Sequence, residues 1–287
     1  MEVLITGSRG FVGQHLWEAG DVGFDIKENR DLLDYEQIRL ILDHARPSEI
    51  YHLAAQAFVK ESFDEPQRAF LINTIGSINL LEAVRKLGLK SKILLAGTSE
   101  EYGDAKDNSE DDLLHPNSPY AVSKIAMDYM GQLYFKAYGM HVVVTRAFNH
   151  AGPGRGEMYA ESSWAKQIAE IEKGKREYLE HGNLESMRNY TDVRDIIKAY
   201  RLAIHLPPDV YNICSDQNLK MKEILQILLK LAKKKIPIKH NKALGRPSDF
   251  SFYPPSCEKF KKLTSWKPKI KIEKTLKDLL NDWRKRV

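Results

Sequence analysis

Two hydrophobic rhythms alternate along this 287-residue chain. The first is a near-continuous apolar run of strand length: EVLITG (2–7), VGFD (22–25), EIYHLAA (49–55), SKILLAGTS (91–99) and HVVVTRAFN (141–149). The second is an amphipathic stretch of helical period: FVGQHLWEA (11–19), LDYEQIRLILDHA (33–45), TIGSINLLEAVRKL (74–87) and AVSKIAMDYMGQLYFKAY (121–138). Strands that are apolar on both faces belong in a parallel sheet with helices on each side. The pattern therefore predicts an α/β, doubly wound fold.

After Asn149 the rhythm loosens into HAGPGRGE (150–157), which is rich in glycine and proline, and then a lysine-rich end. DVRDIIKAYRLAIHL (192–206) followed by DVYNIC (209–214) reads as one more helix-strand unit that returns to the main sheet. The division expected is 1–149 plus about 188–215 for the sheet domain. A smaller C-terminal lobe takes about 150–187 plus 216–287.

Composition narrows the class. Apolar residues make up 43% and charged residues 29%, as in an ordinary globular protein. Cys214 and Cys257 show no CxxC spacing and no neighbouring histidine pair, so neither a disulfide nor a metal site is expected. No apolar run reaches membrane-spanning length, and a strand opens within three residues of Met1, so no signal peptide is expected. Together these point to a cytoplasmic protein that binds no membrane, with the sequon at Asn189 idle. The net charge of +5 is concentrated in the last sixty or so residues. There the lysines alternate with apolar residues and lack interleaved aromatic platforms, which reads as a solvated face and predicts no nucleic-acid partner.

Candidate chemistry begins at GSRGFVG, where Gly7, Gly10 and Gly13 end the first strand and open the first helix. Glycines in this order allow a tight turn, close approach of a pyrophosphate and helix amides aimed at its charge, which makes the sheet Rossmann-type. Asp25 ends the next strand, where a carboxylate accepts from an adenine-ribose diol and repels a 2'-phosphate. Arg9 pulls the other way, so the reading favours NAD(H) and leaves NADP(H) open. Asp31 is placed to accept from the adenine amine, and Asp34 suits a helix cap equally well. LLAGTSEEYG presents Thr98, Ser99 and Glu100 at the carboxyl edge of the fourth strand. In SPYAVSK, Tyr120 and Lys124 lie one helical turn apart and share a face. With a dinucleotide beside them, Lys124 would hold the nicotinamide ribose and favour the tyrosinate, and Tyr120 would exchange a proton as hydride moves.

GSRGFVG, HLAAQ, GTSEEYG, YAVSK, AFNHAGPG, RNYTDVRDI and GRPSD occur in an order that resembles the extended short-chain dehydrogenase/reductase family over essentially the whole chain. The resemblance implies that the N-terminal part holds the cofactor and that a nucleotide-sugar diphosphate lies across the smaller lobe. It adds Leu53, Ala54 and Ala55 to the cofactor site. It matches Thr98, Tyr120 and Lys124 to the catalytic triad and Glu100 to the carboxylate of the sugar dehydratases. It places Asn149, Arg188, Arg246 and Asp249 near the sugar, diphosphate or nucleoside. TSEEYG, AFNHAGPG, GNLESMR and RPSD look most like the GDP-mannose branch, which holds both 4-keto-6-deoxy-sugar reductases and 4,6-dehydratases.

Two departures stand out: Asp249 replaces a usual glutamate, and the first helix is short. The resemblance thus implies a homodimeric enzyme that takes a GDP-sugar and uses no metal. C4 reduction is favoured over dehydration, partly because only five residues separate Asp25 from Asp31. A cofactor-binding scaffold without turnover has no use for the triad.

Overall fold

A computed structural model describes residues 2–104, 108–245 and 253–287. The first half of the chain runs β1 (Val3–Thr6), α1 (Phe11–Leu16), β2 (Val22–Phe24), α2 (Tyr35–Ala45), β3 (Glu49–His52), α3 (Val59–Asp64), α4 (Pro66–Phe70), α5 (Gly76–Lys86), β4 (Lys92–Thr98), α6 (Pro119–Tyr138) and β5 (Val142–Ala147). The second half runs β6 (Asn149–Ala151), α7 (Ala160–Glu172), β7 (Leu179–His181), β8 (Met187–Asp192), α8 (Val193–Ala203), β9 (Val210–Ile213), β10 (Asn218–Lys220), α9 (Met221–Leu231), β11 (Ile238–His240), α10 (Glu258–Thr264) and α11 (Ile272–Arg286).

Six strands form one parallel sheet in the order β2-β1-β3-β4-β5-β9. This is the Rossmann-type, doubly wound sheet that the alternating pattern predicts. The chain moves outward from β1 to β2 and then crosses back to β3, so the winding reverses between β1 and β3. A crevice opens at that reversal, outside the carboxyl ends of the strands. Only β2 lies on the far side of β1. After it the chain makes a short 3-10 turn, Ile26–Glu28, and enters α2 without adding another strand.

Two apolar cores sandwich this sheet. Residues of α2, α5 and α6 cover one face with Ile38, Leu42, Leu80, Val84 and Met127. On the other face α8 is joined by Phe260 and Trp266. A third core lies among α7, α9 and α11, centred on Trp164, Ile168, Leu225, Leu276 and Leu280. It carries the small sheets β10-β8-β6 and β11-β7.

Local chemistry sets the element ends. α6 starts where the Ser118 hydroxyl accepts the Ala121 N–H at 3.1 Å, has Pro119 in its first turn, and stops at Gly139 with φ 65°. α1 is shorter than its apolar period suggests: it ends at Leu16, and the following turn passes through Gly20 at φ 100°. β3 also stops early, at His52, where its partner β1 ends at Thr6 and the Ala54 N–H turns to the Thr6 hydroxyl. Cys214, after β9, and Cys257, ahead of α10, are joined in a disulfide, which corrects the expectation that the chain carries none. The packing of α10 against β9, including Phe260 edge-on to Tyr211, brings together two cysteines 43 positions apart. Spacing along the chain gave no sign of that contact.

Candidate active site

The crevice is a cleft of about 1150 Å³ that runs from the β1–α1 turn to the smaller lobe. Its near end is shaped by backbone. Gly7 has φ 70°, and a Cβ there would lie 2.8 Å from the Ala54 N. Its carbonyl accepts the Gly10 N–H at 2.9 Å and lies where a side chain at Gly13 would collide. Any larger residue would push β1, β3 and α1 apart, so the glycines bring bare amides to the cleft wall. Leu53 and Ala55 also line the cleft, and Ala54 sits behind Gly7. A tight glycine cradle at a helix start suits a dinucleotide diphosphate, so the residues present fit that group.

Beyond the glycines the charges are arranged in a chain. Asp25 is nearly buried, and its two oxygens accept the backbone N–H groups of Arg9 and Lys27 at 2.8 and 2.9 Å. Each oxygen keeps a further lone pair for a ribose hydroxyl. The Arg9 guanidinium pairs with Glu28 at 2.7 Å and, together with Lys27, borders the cleft. Asp31 is half-buried, and its Oδ1 accepts the Leu33 N–H at 2.9 Å, while Asp34 caps α2 through the Gln37 N–H at 3.1 Å.

At the far end β4 and α6 meet. Thr98, Glu100, Tyr120 and Lys124 all line the cleft, so the hydroxyl, carboxyl, phenol and ammonium picked out in the sequence do converge. Burial pushes the Tyr120 phenol above its usual range, the nearby Tyr159 adds to this, and a hydrogen bond with the Thr98 hydroxyl opposes it. Lys124 donates to the Ala96 carbonyl at 2.9 Å, and burial lowers its ammonium to about 8. The Lys124 Nζ points at the strand backbone, and burial is the largest influence on the Tyr120 phenol.

Supporting layers hold these groups. Asn73, in the π-helical turn Leu71–Ile75, donates to Ser123 on α6 at 2.9 Å and accepts the Gln56 N–H at 2.8 Å. His52 bridges Thr6 and Ser77 at 2.8 Å each, and burial holds it neutral, with a value of about 3.

The smaller lobe closes the cleft. Asn149 and Arg188 line it, and they also line a side pocket with Ser99, Glu100, Asn108 and Tyr253. Arg188 is nearly buried and gives one N–H to the Met187 carbonyl at 2.7 Å. Arg155 stacks on Tyr159 at 3.5 Å and reaches over Phe11 at 4.9 Å, so the GPGRG loop is pinned to the start of α1. Arg246 and Asp249 lie outside the described residues. Among the described residues no group of three or more His, Cys, Asp or Glu is placed to hold a metal.

The sequence profile of GDP-mannose 4,6 dehydratase matches residues 26–279. The chain belongs to the GDP-mannose 4,6 dehydratase family. Within it, the chain is 32% identical to GDP-6-deoxy-D-mannose reductase of Pseudomonas aeruginosa, over 99% of this chain and 98% of that protein. It is 31% identical to GDP-mannose 4,6 dehydratase 1 of Arabidopsis thaliana, over 88% of this chain and 72% of that protein. A solved structure of RMD from Pseudomonas aeruginosa complexed with NADPH superposes with TM-score 0.90 at 32% identity, covering 100% of this chain and 99% of that one. UDP-glucose 4-epimerase of Thermus thermophilus in complex with NAD gives TM-score 0.89 at 28% identity, with both chains fully covered.

For a GDP-mannose 4,6 dehydratase family member, motif reading passed over several residues of the site. Tyr159 and Phe11 reach the cleft with no pattern to announce them. Arg155 stood in the RGE of 155–157 without an assigned role. Glu101, in the doubled acid of GTSEEYG, makes a 2.7 Å contact with Thr98, and the unusual second carboxyl in a strand-end turn was the available signal.

Proposed function

We propose that the protein is an NAD(P)-dependent nucleotide-sugar oxidoreductase that reduces a GDP-4-keto-6-deoxy-hexose at C4. One observation carries the choice within the family: the chain matches 98% of the reductase but only 72% of the dehydratase. The bare 3-10 turn between Asp25 and Asp31 is the local counterpart, since a longer loop is expected there in a dehydratase.

When bound, the reduced nicotinamide supplies the hydride. Tyr120 gives the C4 oxygen its proton as that carbon is reduced, and the Thr98 hydroxyl shares the oxygen's hydrogen bonding. Lys124 holds positive charge beside the developing alkoxide and replenishes the phenol through the ribose edge of the site. Asn149 and Arg188 position the sugar and its diphosphate, with Arg246 and Asp249 at the nucleoside. Gly7, Arg9, Gly10, Gly13, Asp25, Asp31 and Leu53–Ala55 are read as the cofactor contacts, with NAD(H) favoured and NADP(H) accepted.

This reading keeps residues 1–149 and about 188–215 as the cofactor part, and about 150–187 with 216–287 as the sugar-binding lobe. It includes a homodimer through helices α5 and α6. Leu71 and Ile75, in the turn ahead of α5, and Val122, Tyr129 and Leu133, on α6, are exposed there, more apolar surface than a lone chain usually shows to water. It keeps a cytoplasmic location, where nicotinamide cofactors are pooled, although the disulfide removes the cysteine argument for it. Among the described residues no helix is long and apolar enough to cross a membrane.

One feature favours dehydration as the second reading. Glu100 borders both the cleft and the side pocket, where a carboxyl can serve elimination across C5 and C6. Mass spectrometry separates the two. A GDP-4-keto-6-deoxy sugar with reduced cofactor is expected to gain two hydrogens with stoichiometric cofactor oxidation, and Glu100→Gln is expected to retain substantial activity. Loss of water from GDP-mannose without added reductant, with solvent deuterium at C5, would establish the dehydratase instead.

A further inference from the structure

Behind the reaction end of the cleft lies a charge cluster that the chemistry above leaves unused. Glu101 is wholly buried, and its Oε1 accepts the Thr98 backbone N–H at 2.7 Å. Packing around that oxygen is so close that a methyl group at Gly97 would meet it at 2.8 Å. The other oxygen, Oε2, has no hydrogen-bond partner as an acceptor, and Arg146 Nε stands 3.4 Å away. Arg146 gives Nε to Asp128 at 2.8 Å and Nη1 to the Tyr102 hydroxyl at 3.2 Å. Asp128 is also wholly buried.

Two carboxylates therefore face one guanidinium out of water. Were both ionised, Arg146 would balance only one of the two buried charges beside it, which is unfavourable. Retaining one proton restores neutrality. Burial and the charge of Asp128 push Glu101 well above the carboxylate range, and a proton on Oε2 lets it donate to Asp128. When ionised, the same carboxyl would oppose the lowering of Lys124 caused by burial. The other titratable groups at Lys124 are Tyr120 on its own helix and neutral His52 on β3. Around the carboxyl pair stand Arg146 on β5, Glu100 and Tyr102 in the turn, and Glu110, whose carbonyl accepts from Arg146 at 3.3 Å.

We propose that Glu101 is a positioning residue: with Asp128 it holds one exchangeable proton against Arg146, and thereby fixes the seat of Thr98 at the reaction end of the cleft. The proposal rests on the reductase reading only in naming Thr98, Tyr120 and Lys124 as the reacting groups.

The test combines Glu101→Gln, Glu101→Leu and Asp128→Asn with two readouts. The first is the Lys124 titration, followed by the 13Cε resonance of lysine-labelled protein and assigned with Lys124→Arg. It needs no substrate. The second is the pH profile of kcat. Glu101→Gln keeps the acceptor for Thr98 and, like the protonated acid, carries no charge, so the Lys124 titration and the alkaline limb of kcat should stay within about 0.2 pH unit of the parent protein. Asp128→Asn leaves Glu101 as the sole anion facing Arg146, so both should rise by about 0.5 to 1 pH unit. Glu101→Leu removes the acceptor, and kcat should drop about tenfold or more at every pH with cofactor affinity unchanged. A clear fall of the Lys124 titration in folded Glu101→Gln, or an unmoved one in folded Asp128→Asn, would overturn the proposal. A rise confined to Asp128→Asn in a protein that reduces no 4-keto sugar would support the proposal and sink the reductase reading instead.

Discussion

On the β1 side of the cleft three glycines and the backbone of Leu53–Ala55 do the shaping, and the closest approaches to the glycines are backbone atoms. On the β4 side, Thr98, Glu101, Tyr120 and Lys124 do it with side chains that are almost entirely out of water. The first wall works by leaving space and aiming amides. The second works by burying charges and hydroxyls whose protonation depends on one another. A backbone wall fails by steric intrusion and should fail at all pH values alike, whereas a buried-charge wall fails by altered ionisation and should reveal itself as a pH dependence.

The sharpest way to break this contrast is to alter each wall in turn. Tyr120→Phe deletes the transferable proton and little volume, so kcat should fall about a thousandfold with cofactor affinity intact, measured by turnover and fluorescence titration in one preparation. Retention of a large share of kcat would make the phenol structural. Gly13→Ala intrudes on the Gly7 carbonyl and should weaken cofactor binding about a hundredfold at every pH, read by calorimetry. Unchanged affinity would show that the turn does not cradle the cofactor.

The pH dependence follows from Lys124, lowered by burial to about 8. Below that value the ammonium persists and kcat should be flat, and above it kcat should fall about tenfold per unit. The stability term from the same group has the opposite sign. An unfolded lysine titrates near 10.4, so between about 8 and 10.4 the unfolded chain binds more protons and this contribution to stability rises with pH. Activity and thermal melts across that window should therefore diverge, and parallel decline would assign the alkaline limb to unfolding. The smallest effect expected is at Asp25. Removing its charge with Asp25→Asn should shift the preference between NADH and NADPH toward NADPH by about tenfold, measured as a ratio of kcat/KM values. An unchanged ratio would mean that Arg9 and Lys27 govern the choice.

The same contrast explains what could be read from the chain. The glycine turn, the strand ends and the Tyr120–Lys124 pair are local in sequence, because turns and helix faces are set by residues within a few positions. The sheet was legible for the same reason, its strands being apolar on both faces. Glu101, Asp128 and Arg146 are spread over 45 positions on a turn, a helix and a strand, and no local period brings them together. The disulfide was missed on similar grounds. The short strands β6, β7, β8, β10 and β11 were missed because NHA, LEH, MRNYTD, NLK and IKH hold too many polar residues to read as an apolar run.

The truncated winding beyond β1 has one more effect. It leaves β2 as one border of the main sheet, with three residues, and β9 as the other, with four. Unpaired backbone groups along a long, flat border are what allow a stray chain to add itself as another strand. Borders this brief, one of them overlaid by α10, present too few such groups in a row for a seventh strand to anneal. Crowded or overexpressed, the folded protein should therefore resist edge-to-edge polymerisation, and its solubility should be limited by the exposed apolar helices rather than by the sheet.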